Sequence, residues 1–493
     1  MARTRANAPL KQRPPRGAAR AEVPAADGLR LDYNAMLPDL VGRAGINPAD
    51  LAALRPLLEE VHRAIFTRSG RGNDFLGFLD LPGQPDEALD RVAATADRLA
   101  RLGDRHVVLG IGGSYLGAKA VLDALGDPYR NERSRADRGG WPKLYFEGNN
   151  LDPDSLRHLL ELLPAGRPTS LENDFTVNVI SKSGTTLETA VAFRFLRQRL
   201  EQAYGREAAR RIVATTDAAR GLLHDMAVKE GYETFVIPDD VGGRYSVLTP
   251  VGLLPAAIAG VDVKELLRGA RAMAARCQSD DLRRNPALLY AGLQYLSYKA
   301  GRGVSVMMSW GKALEGFAMW YDQLCAESLG KAEGGREPMS AVGTRDLHSR
   351  GQQLQQGPRN VVVTHLVVDR YPGDEVVCWD AADRDKLNYT AGKTVSQMLH
   401  GAYEATQYAY SRDRRPSMTL HFPELTAYTL GQAFYLFELA TVAEGYLLGI
   451  NPLDQPGVED YKTFMFALLG RSDLGEARRE FEGRPKGDPG NVV

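Results

Sequence analysis

The segment Phe175 to Thr189, FTVNVISKSGTTLET, joins an apolar run to a turn crowded with hydroxyl groups. The β-branched run at 175–180 predicts a buried strand, and apolar residues at helical spacing over 188–200 predict a helix. The hydroxyl groups between them belong to Ser181, Ser183, Thr185 and Thr186. An N-cap needs only one hydroxyl, whereas a helix N-terminus with unpaired N–H groups also suits a phosphate. We therefore favour an anion site over a plain N-cap with surplus serine and threonine.

Short apolar runs alternate with helix-like segments on both sides of this stretch. The strands predicted from them lie at 106–111, 143–147, 175–180, 211–216, 233–237, 304–308, 360–368, 375–379 and 417–422. Before them, residues 29–67 have a helical pattern. Strands that alternate with helices indicate a parallel, doubly wound sheet. The alternation pauses near 260–285, so the chain predicts two α/β units of similar plan.

The predicted fold class is therefore α/β, with two doubly wound domains that have parallel-sheet cores. The boundaries that we predict are a disordered basic tail at 1–28, a helical N-terminal segment at 29–103, a first α/β domain at 104–283, a second at 284–455, and a C-terminal helix and tail at 456–493. The first 20 residues are basic, hold no acidic residue and lack the apolar core of a secretory signal, which favours a disordered tail.

Composition argues against several classes of partner. The 61 lysine and arginine residues nearly balance the 62 aspartate and glutamate residues, and no basic stripe interleaved with aromatics occurs, so we expect no nucleic acid. No run of about 18 apolar residues occurs, so we expect no membrane span. Three cysteines in 493 residues do not make a disulfide framework, which favours a reducing compartment, the cytoplasm.

Two glycine-containing loops in the first unit could approach a ligand. The turn GIGGSYLG at 110–117 fails the dinucleotide pattern at Tyr115 and the P-loop pattern at Ala118. What remains is a backbone approach at Gly113 with the hydroxyl of Ser114, and tight strand-to-helix packing explains the glycines equally well. In the second loop Gly243 precedes Arg244, which would let a guanidinium lie close to a ligand, although an isolated surface arginine is the commoner case.

The second unit holds two candidate acid–base groups. Glu327 ends a helix with one apolar face, just before a glycine-rich segment, and its carboxylate could act as a general base. A solvated glutamate at a helix end is the alternative. His348 lies in the loop 343–349 and could act as an acid or base. The eight histidines are scattered and show no zinc-ligand spacing, so we expect no metal site.

A constrained loop follows the long apolar helix near the C-terminus. Two prolines and two glycines fix the backbone over 449–462, which is typical of a loop that places a side chain accurately. Its candidates are Gln455 and Lys462.

Six segments together resemble the glucose-6-phosphate isomerase (phosphoglucose isomerase) family in its bacterial form. They are GIGGSYLG (110–117), SKSGTTLET (181–189), GGRYS (242–246), QLCAESLGK (323–331), GTRDLHS (343–349) and NPLDQPGVEDYK (451–462). They occur in the family's order and lie within residues 106–470. One departure is Leu453, which stands where the family usually has phenylalanine and exchanges one apolar residue for another.

The resemblance implies a two-domain sugar-isomerase (SIS) fold and the reversible conversion of glucose 6-phosphate to fructose 6-phosphate, with no metal and no organic cofactor. It also implies a role for each matching residue. Carried over by position, the phosphate is held by Ser114, Ser181, Ser183 and Thr186 and by nearby backbone N–H groups, including those at Gly113 and Gly243. Glu327 is the base that moves a proton between C2 and C1, and Arg244 stabilises the enediolate. His348 and Lys462 assist ring opening, and Gln323 and Gln455 contact the substrate.

The resemblance further implies a homodimer, because His348 matches a residue that reaches into the neighbouring subunit's site. Two other functions are compatible with parts of the sequence. A related isomerase could also accept mannose 6-phosphate, since the residues that read the C2 configuration are not evident. A non-catalytic phosphosugar-binding module is disfavoured, because Arg244, Glu327, His348 and Lys462 are all present and no DNA-binding segment is evident.

Overall fold

The structure is a computed structural model, and it describes residues 28–493. The predicted disordered tail at 1–28 therefore falls, but for its last residue, outside the described residues. Ten strands lie within the described part: β1 Arg30–Asp32, β2 Arg105–Leu109, β3 Lys143–Glu147, β4 Phe175–Ile180, β5 Ile212–Thr216, β6 Glu233–Val236, β7 Val304–Trp310, β8 Glu337–Gly343, β9 Val361–Arg370 and β10 Ser417–Glu424.

The same residues form sixteen α-helices: α1 Pro38–Val41, α2 Pro48–Phe66, α3 Asp86–Leu102, α4 Gly113–Leu125, α5 Pro153–Leu162, α6 Leu187–Tyr204, α7 Leu222–Glu230, α8 Pro250–Ile258, α9 Val263–Cys277, α10 Pro286–Lys299, α11 Glu315–Leu329, α12 Gly351–Gln356, α13 Val395–Arg412, α14 Ala427–Leu447, α15 Asp460–Leu468 and α16 Gly475–Gly483. No helix of residues 28–493 is both long enough and apolar enough to cross a membrane.

The strands form two five-stranded sheets, which confirms the predicted α/β class. The first sheet is wholly parallel in the order β3-β2-β4-β5-β6. The second has the order β1-β10-β9-β7-β8 and is parallel except for β1. The strand order reverses at β2, which lies between β3 and β4, and at β7, which lies between β8 and β9. Ligands bind at such switch points, beyond the carboxyl ends of the strands.

One predicted strand is wrong, and two strands of the structure were not predicted. The predicted strand 375–379 does not form, and only an isolated bridge joins Val376 to Thr394. The apolar run there is left on the surface, with Trp379 69% exposed, because no sheet edge pairs with it. Strand β8 was missed because Pro338 interrupts its pattern. Strand β1 was missed because its three residues lie in a stretch that reads as helical, and pairing with β10 decides the conformation.

The two units share one large apolar core, at whose centre α14 is almost completely buried. Helix α14 packs against α9 at very short range. A Cβ atom added to Gly269 would lie 1.8 Å from the carbonyl oxygen of Tyr428, and one added to Gly431 would lie 1.9 Å from that of Leu266. Only glycine allows two helix backbones to approach so closely, so these two positions fix how the units meet. The domain boundaries themselves stay a prediction.

We expect Gly269→Ala to lower the free energy of unfolding by at least about 2 kcal/mol, because the added methyl group must push α9 away from α14. Chemical denaturation measures the change. The matched control is Gly401→Ala in α13, where nothing lies within 4 Å of an added Cβ. This control should raise stability by about 0.5–1 kcal/mol, since alanine favours the helix. Equal effects of the two substitutions would contradict the close-packing argument.

Candidate active site

The loop that follows β2 meets the loop that follows β6 at the carboxyl edge of the first sheet. Gly112 has a φ of 57°, in the left-handed region that favours glycine, and Gly113 begins α4. A Cβ atom at Gly113 would lie 2.0 Å from the carbonyl oxygen of Gly243. The glycine-rich turn therefore touches the backbone of the loop that carries Arg244, which neither motif indicates on its own.

Arg244 is buried, with 3% of its surface exposed, and its guanidinium bonds two segments from the second half of the chain. Its Nε donates to the hydroxyl of Ser328 at 2.7 Å. One terminal nitrogen donates to Glu327 Oε2 at 3.2 Å and to Gln455 Oε1 at 2.9 Å. The other donates to the carbonyl oxygen of Pro452 at 2.7 Å. The alternative interpretation of Arg244 as an isolated surface arginine is wrong. A buried cation must be matched by hydrogen-bond acceptors, and Arg244 has acceptors on two separate segments.

Glu327 lies in the last turn of α11 and keeps 33% of its side chain exposed. Its Oε1 accepts a hydrogen bond from the Gln323 amide at 2.9 Å, while Oε2 faces Arg244. A carboxylate offers about four lone-pair positions, so both oxygens keep room for a ligand. Gln323 and Arg244 fix the direction of the carboxylate, and its exposed part is accessible to a ligand. A general base needs this combination of fixed position and access.

Residues that the sequence analysis did not single out support this pair. The buried hydroxyl of Ser328 lies 3.0 Å from that of Tyr245, and burial raises the pKa of Tyr245 to about 12. Lys331 pairs with Asp454 at 2.8 Å, and burial lowers the pKa of this lysine. Together they tie α11 to the loop 451–455. These four residues could have been predicted from the sequence, because they lie beside Glu327, Arg244 and Gln455 in the same segments.

The hydroxyl-rich turn forms as predicted between β4 and α6. The buried Ser181 hydroxyl accepts a hydrogen bond from Gly184 N–H at 3.0 Å and lies 3.4 Å from that of Thr186. Ser183 is exposed, and its hydroxyl pairs with Thr185 at 2.8 Å. Thr186 occupies the N-cap position of α6 but makes no side-chain cap bond. A plain N-cap is therefore not what these hydroxyls form, and the turn keeps the groups that would bind an anion.

The predicted phosphate-binding hydroxyls and two of the predicted catalytic residues, His348 and Lys462, make no hydrogen bond to Arg244 or Glu327 in the described part of the chain. Ser114 is the second residue of α4, and its N–H donates to Ile111 at 3.1 Å. His348 is exposed in the turn after β8. Lys462, in α15, pairs with Glu459 at 3.0 Å. Within residues 28–493, no hydrogen bond links His348 or Lys462 to either Arg244 or Glu327, and no three histidine, cysteine, aspartate or glutamate side chains gather as a metal site.

Comparison with known proteins gives consistent matches. A family model described as phosphoglucose isomerase matches residues 100–349 and 386–486. A glucose-6-phosphate isomerase of Bacillus cytotoxicus is 45% identical over 443 residues, which cover 90% of this chain and 97% of the relative. One from Bacillus thuringiensis is 44% identical with the same coverage.

Two solved structures share the fold. A hypothetical protein from Thermus thermophilus superposes with a TM-score of 0.78 at 32% identity, covering 90% of this chain and 100% of the other. A glucose-6-phosphate isomerase from Chlamydia trachomatis superposes with a TM-score of 0.72 at 24% identity, covering 92% of each chain, and this likeness shows the fold alone.

Proposed function

The chain belongs to the phosphoglucose isomerase family, and we propose which of its residues carry out the family's reaction. The family assignment made from six sequence segments is confirmed. The protein is an aldose–ketose isomerase, an intramolecular oxidoreductase that interconverts glucose 6-phosphate and fructose 6-phosphate in glycolysis and gluconeogenesis. The observation that carries the residue assignment is the partly exposed Glu327 carboxylate with the buried Arg244 guanidinium 3.2 Å away.

Glu327 is the proton carrier in this proposal. The carboxylate removes the proton from C2 of the open-chain aldose, which leaves an enediolate. The hydroxyl proton moves from O2 to O1, and the carboxyl group returns its own proton at C1, which yields the ketose. Abstraction next to a carbonyl group builds negative charge on oxygen, so a fixed cation beside the base lowers the barrier. Arg244 supplies that cation. Gln323 supports the assignment because its amide holds Glu327 Oε1 at 2.9 Å and limits the directions in which the carboxylate can turn.

The substrate's phosphate is held by the hydroxyl-rich turn. The proposed ligands are the hydroxyls of Ser114, Ser181, Ser183 and Thr186, with backbone N–H groups at Gly113 and Gly243. Two helices, α4 and α6, begin here with partial positive charge, which supports the binding of a dianion. The amide of Gln455 uses its oxygen to accept from Arg244, so its nitrogen is left to donate to a sugar hydroxyl.

Ring opening is assigned to His348 and Lys462, which move the proton at the ring oxygen. Lys462 would exchange its surface partner Glu459 for the sugar, a small cost because both side chains of that pair are solvent-exposed. His348 would serve the site of a second subunit. Its exposed position after β8, the edge strand of the second sheet, supports this role, because a residue there is accessible to another chain. A homodimer is then the smallest active unit.

The cytoplasm is the proposed location. Cys277 and Cys325 are buried and Cys378 is exposed, and all three are free thiols. Burial raises the pKa values of Cys277 and Cys325 to about 12, so these two behave as packed apolar side chains. A reducing compartment suits a chain whose stability uses no disulfide.

We expect Glu327→Gln to lower kcat about 100- to 10,000-fold while the dissociation constant for fructose 6-phosphate stays within about threefold of the original value. The amide can still accept from Arg244, but it cannot take up a proton. A coupled assay and calorimetry measure the two quantities, and loss of deuterium exchange at C1 of fructose 6-phosphate isolates the proton step. The control is Glu337→Gln, an exposed residue that begins β8. Near-normal turnover in Glu327→Gln would exclude this carboxylate as the base.

The phosphate proposal predicts that Ser183→Ala combined with Thr186→Ala raises KM at least about tenfold, because each hydroxyl loses a hydrogen bond to a charged group. Steady-state kinetics on fructose 6-phosphate measure it. Thr185→Ala is the control in the same turn, since it removes an internal partner of Ser183 but no proposed phosphate ligand. An unchanged KM in the double variant would remove the turn from the binding site.

The dimer proposal predicts complementation between two impaired variants. When equal amounts of Glu327→Gln and His348→Gln chains exchange subunits, mixed dimers should contain one intact site, and activity should return to about a quarter of the wild-type value. The intact site combines Glu327 of one chain with His348 of the other. If His348 served its own chain, no mixed site would be intact and activity would not rise. Light scattering confirms that the dimers form.

A further inference from the structure

Five arginines line a cavity of about 360 Å³ at the edge of the second sheet that is opposite the carboxyl ends of its parallel strands. They are Arg43, Arg302, Arg359, Arg414 and Arg415. Three of them occupy equivalent places, because Arg302, Arg359 and Arg415 each lie two residues before a strand, namely β7, β9 and β10. These strands are parallel neighbours in the sheet. Their order therefore brings three arginines into one row at the beginning of adjacent strands.

None of the five arginines forms an ion pair with a carboxylate in the described part of the chain. Three of them, Arg302, Arg359 and Arg415, donate to backbone carbonyl oxygens instead. Arg415 donates to the carbonyl groups of Gln355, Gly357 and Pro358, and Arg302 donates to that of Ala44. Asp413 is the nearby carboxylate, and it is engaged by Gln355 and Arg412 instead. The charge of Asp413 still acts on Arg359 and Arg415, but one carboxylate does not balance five guanidinium groups, so the cluster keeps an excess of positive charge.

Burial makes this arrangement costly without a ligand. Arg302 and Arg415 expose 9% and 6% of their surfaces. Burial lowers the pKa of both guanidinium groups, and the neighbouring Arg359 lowers that of Arg415 further. Arg414 adds a backbone cost, since its φ of 59° lies in the left-handed region that arginine rarely adopts. Arginines stay charged under these conditions, so an anion in the cavity would relieve the mutual repulsion.

We propose that this cavity is a binding site for a small polyanion that carries two or more phosphate groups, separate from the catalytic site. Planar guanidinium groups bind phosphate oxygens in pairs, which suits a ligand with several phosphate groups more than a single carboxylate. The cavity volume admits a ligand of small-molecule size. Strand β7 has seven residues, so the cavity lies about 20 Å from the loops at the carboxyl end of that strand. The ligand would therefore bind together with the sugar phosphate rather than compete with it.

The test uses labelled inorganic pyrophosphate in equilibrium dialysis against the full chain, at constant ionic strength. Saturating glucose 6-phosphate, equilibrated with fructose 6-phosphate, keeps the catalytic site occupied. We expect one pyrophosphate per chain, bound more tightly than inorganic phosphate. Arg43→Gln combined with Arg414→Gln should weaken binding at least about tenfold. Both arginines are exposed and no side-chain hydrogen bond of theirs is recorded within residues 28–493, so folding should be unaffected.

The control is Arg157→Gln combined with Arg478→Gln, which removes the same charge from exposed positions that do not line the cavity. It should bind pyrophosphate as the parent does. Equal weakening in both double variants would show a general effect of net charge and overturn the proposal. So would the absence of binding when the catalytic site is saturated, or the binding of a single-stranded oligonucleotide without any binding of pyrophosphate.

Discussion

The buried guanidinium of Arg244 is the interaction on which the rest of the site depends. A cation in the protein interior must be matched by acceptors, and Arg244 finds them on α11 and on the loop 452–455. Its planar group offers five N–H donors in fixed directions, which a lysine could not imitate. One residue of the first unit thus sets the position of Glu327 and of Gln455, which follow it by 83 and 211 residues.

The hydrogen bonds of Arg244 require the segments that carry its partners to lie at a defined distance from it. Glycine residues allow the close backbone contacts that set this distance. Gly269 and Gly431 allow α9 and α14 to touch, while Gly113 allows the start of α4 to touch the loop before Arg244. Each contact joins segments that are distant in sequence. Because a protein interior is close-packed, a shift of the helices would move the loops that end at the site. The position of Arg244 and Glu327 is therefore a consequence of backbone contact as well as of side-chain bonding.

Local patterns predicted the parts of this structure that local forces decide. The strand, turn and helix around Ser181 follow from a β-branched run, hydroxyl residues and helical spacing within one stretch. Strand β8 could not be predicted in that way, since Pro338 weakens its pattern and pairing with β7 holds it. The segment around Trp379 shows the reverse, because a strand-like run has no sheet to join.

The candidate site also combines features that local sequence predicts with features that depend on long-range contacts. Local sequence singled out Arg244 and Glu327, and resemblance to a family gave each a role in the reaction, but the hydrogen bonds that Ser328 makes to Arg244 and Tyr245 could not be predicted. The bonds that join these residues cross more than eighty positions of sequence. Long-range contacts of this kind depend on the packing of the whole chain, and a motif search examines only neighbours.

The position of Lys462 on the surface is consistent with a role in catalysis because of the sizes of the energies involved. Its pair with Glu459 is an exposed i,i+3 contact, and exposed ion pairs contribute about 0.2–1 kcal/mol. A hydrogen bond to a charged phosphate contributes about 1.5–3 kcal/mol. If the phosphate binds at the turn 181–186 as we propose, its hydrogen bonds can offset the loss of the surface pair. Since the phosphate is remote from the reacting carbons, its binding energy is available for bringing a catalytic group to the sugar.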